Sequence, residues 1–437
     1  FFKQKTAYEI GTGDWSSDVC SSDLVNSYNM VRFLQISDIH FRRLPDARDE
    51  YAQLKARLFE KVREICTTSK VDCILICGDV AFSGNTEEYE QRAKVFINNL
   101  LEITQCQTAQ VYMVPGNHDK DRNAKYQNTR WMFRECMLNA EKIDNHFFDL
   151  YKEENDVYSK CLMPFDAYYN FANNYRCVPE AVANTRNGQP RTYLDRLNWT
   201  DDLKVGQYTL RLHGINTCYV SDKEDENHNQ ILPNELFYTT KNNGVVNVSV
   251  MHHPLDFIKD KKDIEKAMDE LYPIQFYGHV HHQSIEKNGT LKIFSGAIMP
   301  PKGESNCEDG YEPVFNIIEF KDGHGVIIVT VNPYQWEWTS KNDGRFNAIQ
   351  PEPSYQINVD DSSQYALSIE KTLKLPKGVT KKEIEVEFLQ STKSEEIIHK
   401  MYNAFEFQND AVADASTFFR RVKDEDRYVE LYNFIHE

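Results

Sequence analysis

Between residues 31 and 119, three short apolar runs each stop at a small polar cluster. That alternation restricts the possible folds more than any other feature of the chain. The run Val31 to Ile36 leads into Ser37, Asp38, Ile39 and His40; Val71 to Cys77 leads into Gly78 and Asp79; Val111 to Val114 leads into Pro115, Gly116, Asn117, His118 and Asp119. Runs of this length bounded by turn residues read as buried strands. Between them, Tyr51, Leu54, Leu58, Val62 and Ile65 recur on one helical face, and Tyr89, Ala93, Phe96, Ile97, Leu100 and Leu101 on another. A βαβαβ start of this kind predicts an α/β layered domain, because each helix must bury its apolar stripe on the sheet its neighbours build.

The pattern extends well beyond this start. Strands are expected at Tyr208–His213, Val245–Met251, Ile274–Tyr277, Leu291–Phe294, Val314–Phe320 and Val326–Val331, the last two joined by a Gly-containing turn. Residues 125–178 are rich in aromatics and helical in period, and read as an insertion that caps a site. Residues 351–363 carry Pro, Ser, Asp and Gln without periodicity and read as a linker. The expected organisation is thus a leader over 1–29, a domain over 30–350, and a mixed, mostly helical segment over 364–437. That last segment stops inside a helical pattern, as a truncated or a natural end would. The first 24 residues have no sustained period and resemble translated sequencing-adapter read-through, with Met30 the plausible start.

Composition narrows the function. Fifty Lys and Arg against 67 Asp and Glu give a formal charge of −17, which disfavours nonspecific duplex binding without excluding a local basic groove. No apolar run reaches the ~18–20 residues of a membrane span. The ten cysteines include no CxxC pair and read as small core hydrophobes in a reducing compartment, so a cytoplasmic location is expected.

Five polar clusters end or follow expected strands: Asp38-Ile39-His40, Gly78-Asp79, Gly116-Asn117-His118-Asp119, His252-His253-Pro254 and Gly278-His279-Val280-His281. Strand C-termini are where open α/β sheets bind ligands. Imidazole with carboxylate and amide oxygen suits Zn, Mn, Fe or Co, and two metals ~3.5–4 Å apart need a shared carboxylate, for which Asp79 is the natural candidate. Each cluster alone is a weak signal; the five in this order resemble the calcineurin-like metallophosphoesterase superfamily over roughly residues 31–331. Within it, the set is most similar to the bacterial cyclic-nucleotide phosphodiesterase branch.

The resemblance implies a four-layer αββα sandwich of mixed sheets with a helical insertion and a small C-terminal appendage. It implies two metal ions (Mn, Fe or Zn), the first held by Asp38, His40, Asp79 and His281, the second by Asp79, Asn117, His252 and His279. His118 matches the catalytic histidine beside the phosphate, Asp119 its orienting partner, and Asn117 also meets the substrate. The implied reaction is attack of metal-bound hydroxide on a phosphodiester, a cyclic nucleotide or similar small substrate. Arg122 is a further candidate for a phosphate oxygen, with a solvated loop arginine as the alternative; His213, His253 and His282 read first as core or loop histidines. Two other readings stay open: a DNA or RNA nuclease of the same superfamily, and a signalling or defence module whose segment 364–437 engages a protein partner.

Overall fold

The structure is a computed structural model that describes residues 29–43, 51–121, 127–140, 161–175, 185–186, 189–190, 197–221, 228–299, 313–340, 343–349, 354–359, 379–390 and 427–436, with positions 397, 398, 401, 418 and 422. Residues 1–28 of the leader, Arg122, much of the insertion and all of residues 360–378 lie outside the described residues.

The first half of the domain follows the sequence pattern closely. Strand β1 (Met30–Ile36) is followed by helix α1 (Ala52–Thr68), whose Leu54, Leu58, Val62 and Ile65 are buried at the expected helical spacing. Strand β2 (Cys73–Ile76) is buried at every position, as a strand covered on both faces must be. Asn85 then caps a single helical turn, a π-turn spans Tyr89–Ala93, and helix α2 (Lys94–Thr104) buries Phe96, Ile97 and Leu100. Strand β3 (Val111–Met113) completes the unit. The insertion contributes helix α3 (Gln127–Asn139) and the short helix α4 (Asp166–Ala172).

The second sheet begins with β4 (Asn198–Val205) and β5 (Tyr208–Ile215), then β6 (Val245–Met251), helix α5 (Lys261–Leu271), β7 (Ile274–Tyr277), β8 (Ser284–Asn288) and β9 (Thr290–Phe294). The chain returns to the first sheet through β10 (Val314–Asp322), β11 (Val326–Ser340), β12 (Asp343–Ala348) and β13 (Tyr355–Asn358). The first sheet has the order β12-β11-β10-β1-β2-β3, with β13 also paired to β11; the second has the order β8-β9-β7-β6-β5-β4. Both are mixed: β1, β2 and β3 are mutually parallel, as are β5, β6, β7 and β9, while the remaining pairs are antiparallel.

The sheets face one another across a shared core. Phe276 of the second sheet meets Phe320 of the first, Tyr112 stacks on Trp199 at 5.7 Å, and the Trp199 indole N–H donates to the Met113 carbonyl at 3.0 Å. The apolar faces of α1 and α2 join this core, and those of α3 and α5 form a second one with residues of the other sheet. Two mixed sheets clad in helices make this the α/β sandwich that the sequence predicts. A third apolar cluster, including Ile384, Phe388, Met401 and Leu431, is drawn from the C-terminal segment alone.

One expectation is corrected here. Residues 355–358, inside the stretch expected to be a linker, pair with Val326–Val329 as strand β13. Of the four only Ile357 is buried, with Tyr355 partly buried beside it, and the alternation is too short to stand out from the Pro, Ser, Asp and Gln around it. Likewise β11 runs nine residues past the expected Val331. Its Trp336 is buried beneath β12 while Trp338 stays exposed.

Candidate metal centre

All five polar clusters lie where parallel strands end. Asp38 and His40 follow β1, Asp79 follows β2, Asn117 and His118 follow β3, His252 follows β6, and His279 and His281 follow β7. The two sets of loops are stitched together across the sheets: the His252 Nδ1–H donates to the Cys77 carbonyl at 2.8 Å, and the amides of Ile298 and Met299 donate to the carbonyls of Ser37 and Asp38.

The loop backbones are strained where the ligating groups sit. Asp38, His40, Asp79, His279 and His281 all have φ between 50° and 70°, a region L-residues enter rarely and Asp and His more readily than most. Five of the nine such residues among the described ones belong to this site, so strain concentrates where the side chains must converge. Two glycines allow the approach. A Cβ on Gly78, itself at φ 101°, would strike the His252 ring, and one on Gly116 would strike the Asp79 carboxylate.

Asp38 has one occupied oxygen and one that is poorly served. Its Oδ2 accepts from the Ser37 hydroxyl at 2.5 Å and the His279 amide at 3.3 Å. Its buried Oδ1 makes no well-directed hydrogen bond and faces His281 Nε2 at 3.3 Å and His40 Nε2 at 3.9 Å. Asp79, 1% exposed, sits between histidines: its Oδ2 lies 3.8 Å from His40 Nε2 and 3.5 Å from His252 Nε2, while its Oδ1 accepts from the His118 amide. Three groups of ligand atoms fall within 4.8 Å of one another: Asp38, His40 and His281; Asp38, Asp79 and His252; His40, Asp79 and His118. Asn117 Oδ1 is 3.0 Å from His252 Nε2. The His279 ring packs on His252 and His253 at 5.1 and 4.5 Å between centroids, and among the described residues it stands outside those three groups.

The charges describe a site built for cations. Burial works to raise the Asp38 carboxyl, yet the close His281 ring and its charge bring it down to about 2. Asp79 is likewise held well below the ordinary carboxylate range against its burial, chiefly by His252 and His118. Burial drives His40 down to about 3, so it is a neutral imidazole with lone pairs to offer. His252 is opposed by burial but held up at about 9 by Asp79, and its Nε2 proton occupies the place a cation would take. The residues present therefore fit metal ions, with an underserved carboxylate oxygen and histidine nitrogens converging on one point.

The orienting partner of His118 differs from the expected one. Its Nδ1–H donates to the Phe82 carbonyl at 2.9 Å, which fixes the orientation of the ring. Asp119 instead joins the loops, accepting from the amides of Val80, Ala81 and Gly116 and the hydroxyl of Tyr89. Burial and the nearby Asp79 push its carboxyl up to about 7 against these donors. Ser37 and Tyr89 read from sequence only as a turn residue and a helix-face residue, although Ser37 stands beside a predicted ligand. A backbone carbonyl such as that of Phe82 leaves no sequence signal at all. His213 is a core histidine, bonded to Thr200 and Asn247, and His253 bonds to Thr217; His282 is exposed.

The family profile for calcineurin-like phosphoesterase (Metallophos) matches residues 31–283, more than half the chain. This chain belongs to the calcineurin-like phosphoesterase family. The uncharacterized metallophosphoesterase-like protein YydB of Bacillus subtilis (strain 168) is 25% identical over 350 residues, 75% of this chain, and the chain spans about 65% of that relative's length. Among solved structures, the fold is similar to purple acid phosphatase PPD1 from yellow lupin (Lupinus luteus) seeds, at 12% identity and TM-score 0.37, covering 80% of this chain and 57% of that one. It is also similar to Chaetomium thermophilum Vps29, at 10% identity and TM-score 0.32, covering 76% of this chain and all of that one. Among the described residues, no helix is long and apolar enough to cross a membrane.

Proposed function

We propose that this chain is a phosphoesterase dependent on two metal ions and acts on a small phosphodiester such as a cyclic nucleotide. The observation that carries the reading is the position of the Asp79 carboxylate, within 4 Å of both His40 and His252, with Asp38 and His281 beyond one and Asn117 beyond the other. One carboxylate shared between two ligand sets is what a two-metal site requires. Asp38, His40, Asp79 and His281 would hold one ion, and Asp79, Asn117 and His252 the other, with His279 completing the second set. Ions bound there would supply positive charge that acidifies water and draws electron density from phosphoryl oxygens.

The chain's own residues supply the rest. The Asn117 amide orients a non-bridging phosphoryl oxygen. His118, with its Nδ1 proton held by Phe82, presents Nε2 to the departing alkoxide and, when doubly protonated as the imidazolium, gives it the Nε2 proton and reverts to the neutral ring. The pocket floor is buried, so these interactions act in a medium poorer in water than the bulk.

A substrate panel tests this reading. The chain is incubated with Mn²⁺, Zn²⁺, Fe²⁺ or Mg²⁺ and offered cyclic nucleotides, bis(4-nitrophenyl) phosphate, and single- and double-stranded DNA. Metal-dependent turnover of the small diesters above DNA is expected. Preferential DNA cleavage would move the protein to the nuclease reading, and no hydrolysis with any metal would end the enzyme reading.

A further inference from the structure

Beside the ligand loops lies a buried polar joint with no part in the reaction outlined above. His253 follows the expected ligand His252 and is fully buried. Thr217, in the loop after β5, is buried as well. Its hydroxyl oxygen accepts from the His253 amide at 3.1 Å and lies 3.1 Å from the His253 Nδ1. Cys218 Sγ lies 3.4 Å from that same nitrogen and donates its proton to the Pro115 carbonyl at 3.5 Å. One hydroxyl thus engages both the backbone and the ring of His253, which fixes the plane of the imidazole. The joint also ties the loops after β3, β5 and β6 to one another.

The ring fixed in this way packs on His279. Their centroids are 4.5 Å apart with the planes at 63°, and Phe257 meets the same His279 ring at 4.5 Å and 88°. His252 stands on it too, at 5.1 Å and 73°. His279 itself is half-buried and sits at φ 70°, where L-residues are rarely found. Among the described residues it stands outside the three groups of converging ligand atoms. Of the expected histidine ligands it is therefore the one whose place rests most on the rings around it. An imidazole that offers a lone pair to a cation must hold its plane, because rotation about the side-chain bonds carries the nitrogen off the point that the other ligands share.

We propose that the His253 and Phe257 rings, the first keyed by the Thr217 hydroxyl, position His279 and so set the affinity of the ion that His279 helps to hold. This rests on the two-metal reading above and deepens it: Thr217, His253 and Phe257 are positioning residues, acting through His279 rather than on the substrate.

The test reads metal affinity. The full chain, stripped of metal with a chelator, is titrated with Mn²⁺ by calorimetry, and His279→Ala identifies the binding event to which His279 contributes. Thr217→Val, which keeps the shape and loses the hydroxyl, should weaken that event by about 10–100-fold, the usual effect of removing a group that orients a metal ligand. The other event should stay near its wild-type affinity, and Thr217→Ser, which keeps the hydroxyl, should bind both ions as the wild type does. Wild-type affinities in Thr217→Val, or equal weakening of both events, would overturn the proposal. Should the valine variant fail to fold, Phe257→Leu decides, since it removes a half-buried ring from His279 and leaves the Thr217 joint in place. An unchanged His279 event in that variant excludes positioning by the rings. Turnover of bis(4-nitrophenyl) phosphate by the Mn²⁺-loaded wild type is measured in parallel. Its absence counts against the phosphoesterase reading alone, because metal affinities need no catalysis. Turnover in the wild type with neither event altered in His279→Ala overturns the positioning alone.

Discussion

The Asp79 carboxylate answers three neighbours at once: the His118 amide on Oδ1, and the imidazoles of His40 and His252 near Oδ2. Replacing it by asparagine keeps the size but removes the charge that the two-metal reading needs and replaces one acceptor oxygen with a donor. Asp79→Asn is expected to retain at most one ion per chain by plasma emission spectrometry; two retained ions with full activity would contradict the bridging role. His118→Asn should behave differently. If His118 acts as an acid, the variant keeps both ions and loses about 10²–10⁴-fold in kcat. Because His118 also falls in a tight group with His40 and Asp79, metal loss in that variant would reassign it as a ligand.

At the scale of elements, the loop from Asp79 to Asn85 is held by two buried carboxylates from outside it. Asp119 takes the amides of Val80 and Ala81, and Glu88 takes the amides of Ser83 and Asn85 and the Ser83 hydroxyl. Between the two clamps sits the Phe82 carbonyl that fixes the His118 tautomer. The π-turn at Tyr89–Ala93 lies one residue on, and Tyr89 donates to Asp119 from it. Asp119→Asn would present an amide donor to backbone N–H groups that are donors themselves. It should lower stability by about 2–3 kcal/mol in urea titration, the scale of losing charge-assisted bonds in the interior. It should also depress kcat through the displaced Phe82 carbonyl. Full stability would show that the donors find water instead. The insertion braces the same region: Tyr168 and Phe171 of α4 pack on Tyr89, and the Tyr169 hydroxyl accepts from Asn216. These aromatics, buried in the core, act as scaffold for the loop.

The whole molecule holds its site by joining two sheets, and polar groups in the joint make stability depend on pH. Gln35 of β1 donates to the Ser295 hydroxyl beyond β9 and accepts from Asn316 of β10, a buried tie between the sheets three residues from Asp38. Deeper in the second sheet, burial lowers His213 to about 4, only partly offset by its bond to Asn247. The unfolded chain binds a proton at this histidine below about 6.5, whereas the folded chain declines it until about 4. The unfolded state therefore holds more protons across that window, and stability falls as pH falls through it. The loss from this group approaches about 3 kcal/mol at the acid end and stops growing below the folded value. Relative to wild type, His213→Asn should lose less stability between pH 7.5 and 4.5 by urea titration. Equal losses in both would place the acid sensitivity elsewhere.

Local pattern alone determined the parts of this protein whose cause is local. The run Cys73–Ile76 could only be a doubly covered strand, and the Leu54, Leu58, Val62 and Ile65 stripe only one helical face. The convergence of Asp38, His40, Asp79, His252 and His281 was legible too, because Asp and His at strand ends have few structural reasons to be there. The strand β13 was hidden because its sheet position, next to β11, supplies what its single buried Ile357 does not. Tertiary structure alone assigned the His118 proton to Phe82 and gave Asp119 to the loop amides. Both contacts join residues more than thirty positions apart and use backbone groups, which every residue carries and no sequence pattern distinguishes.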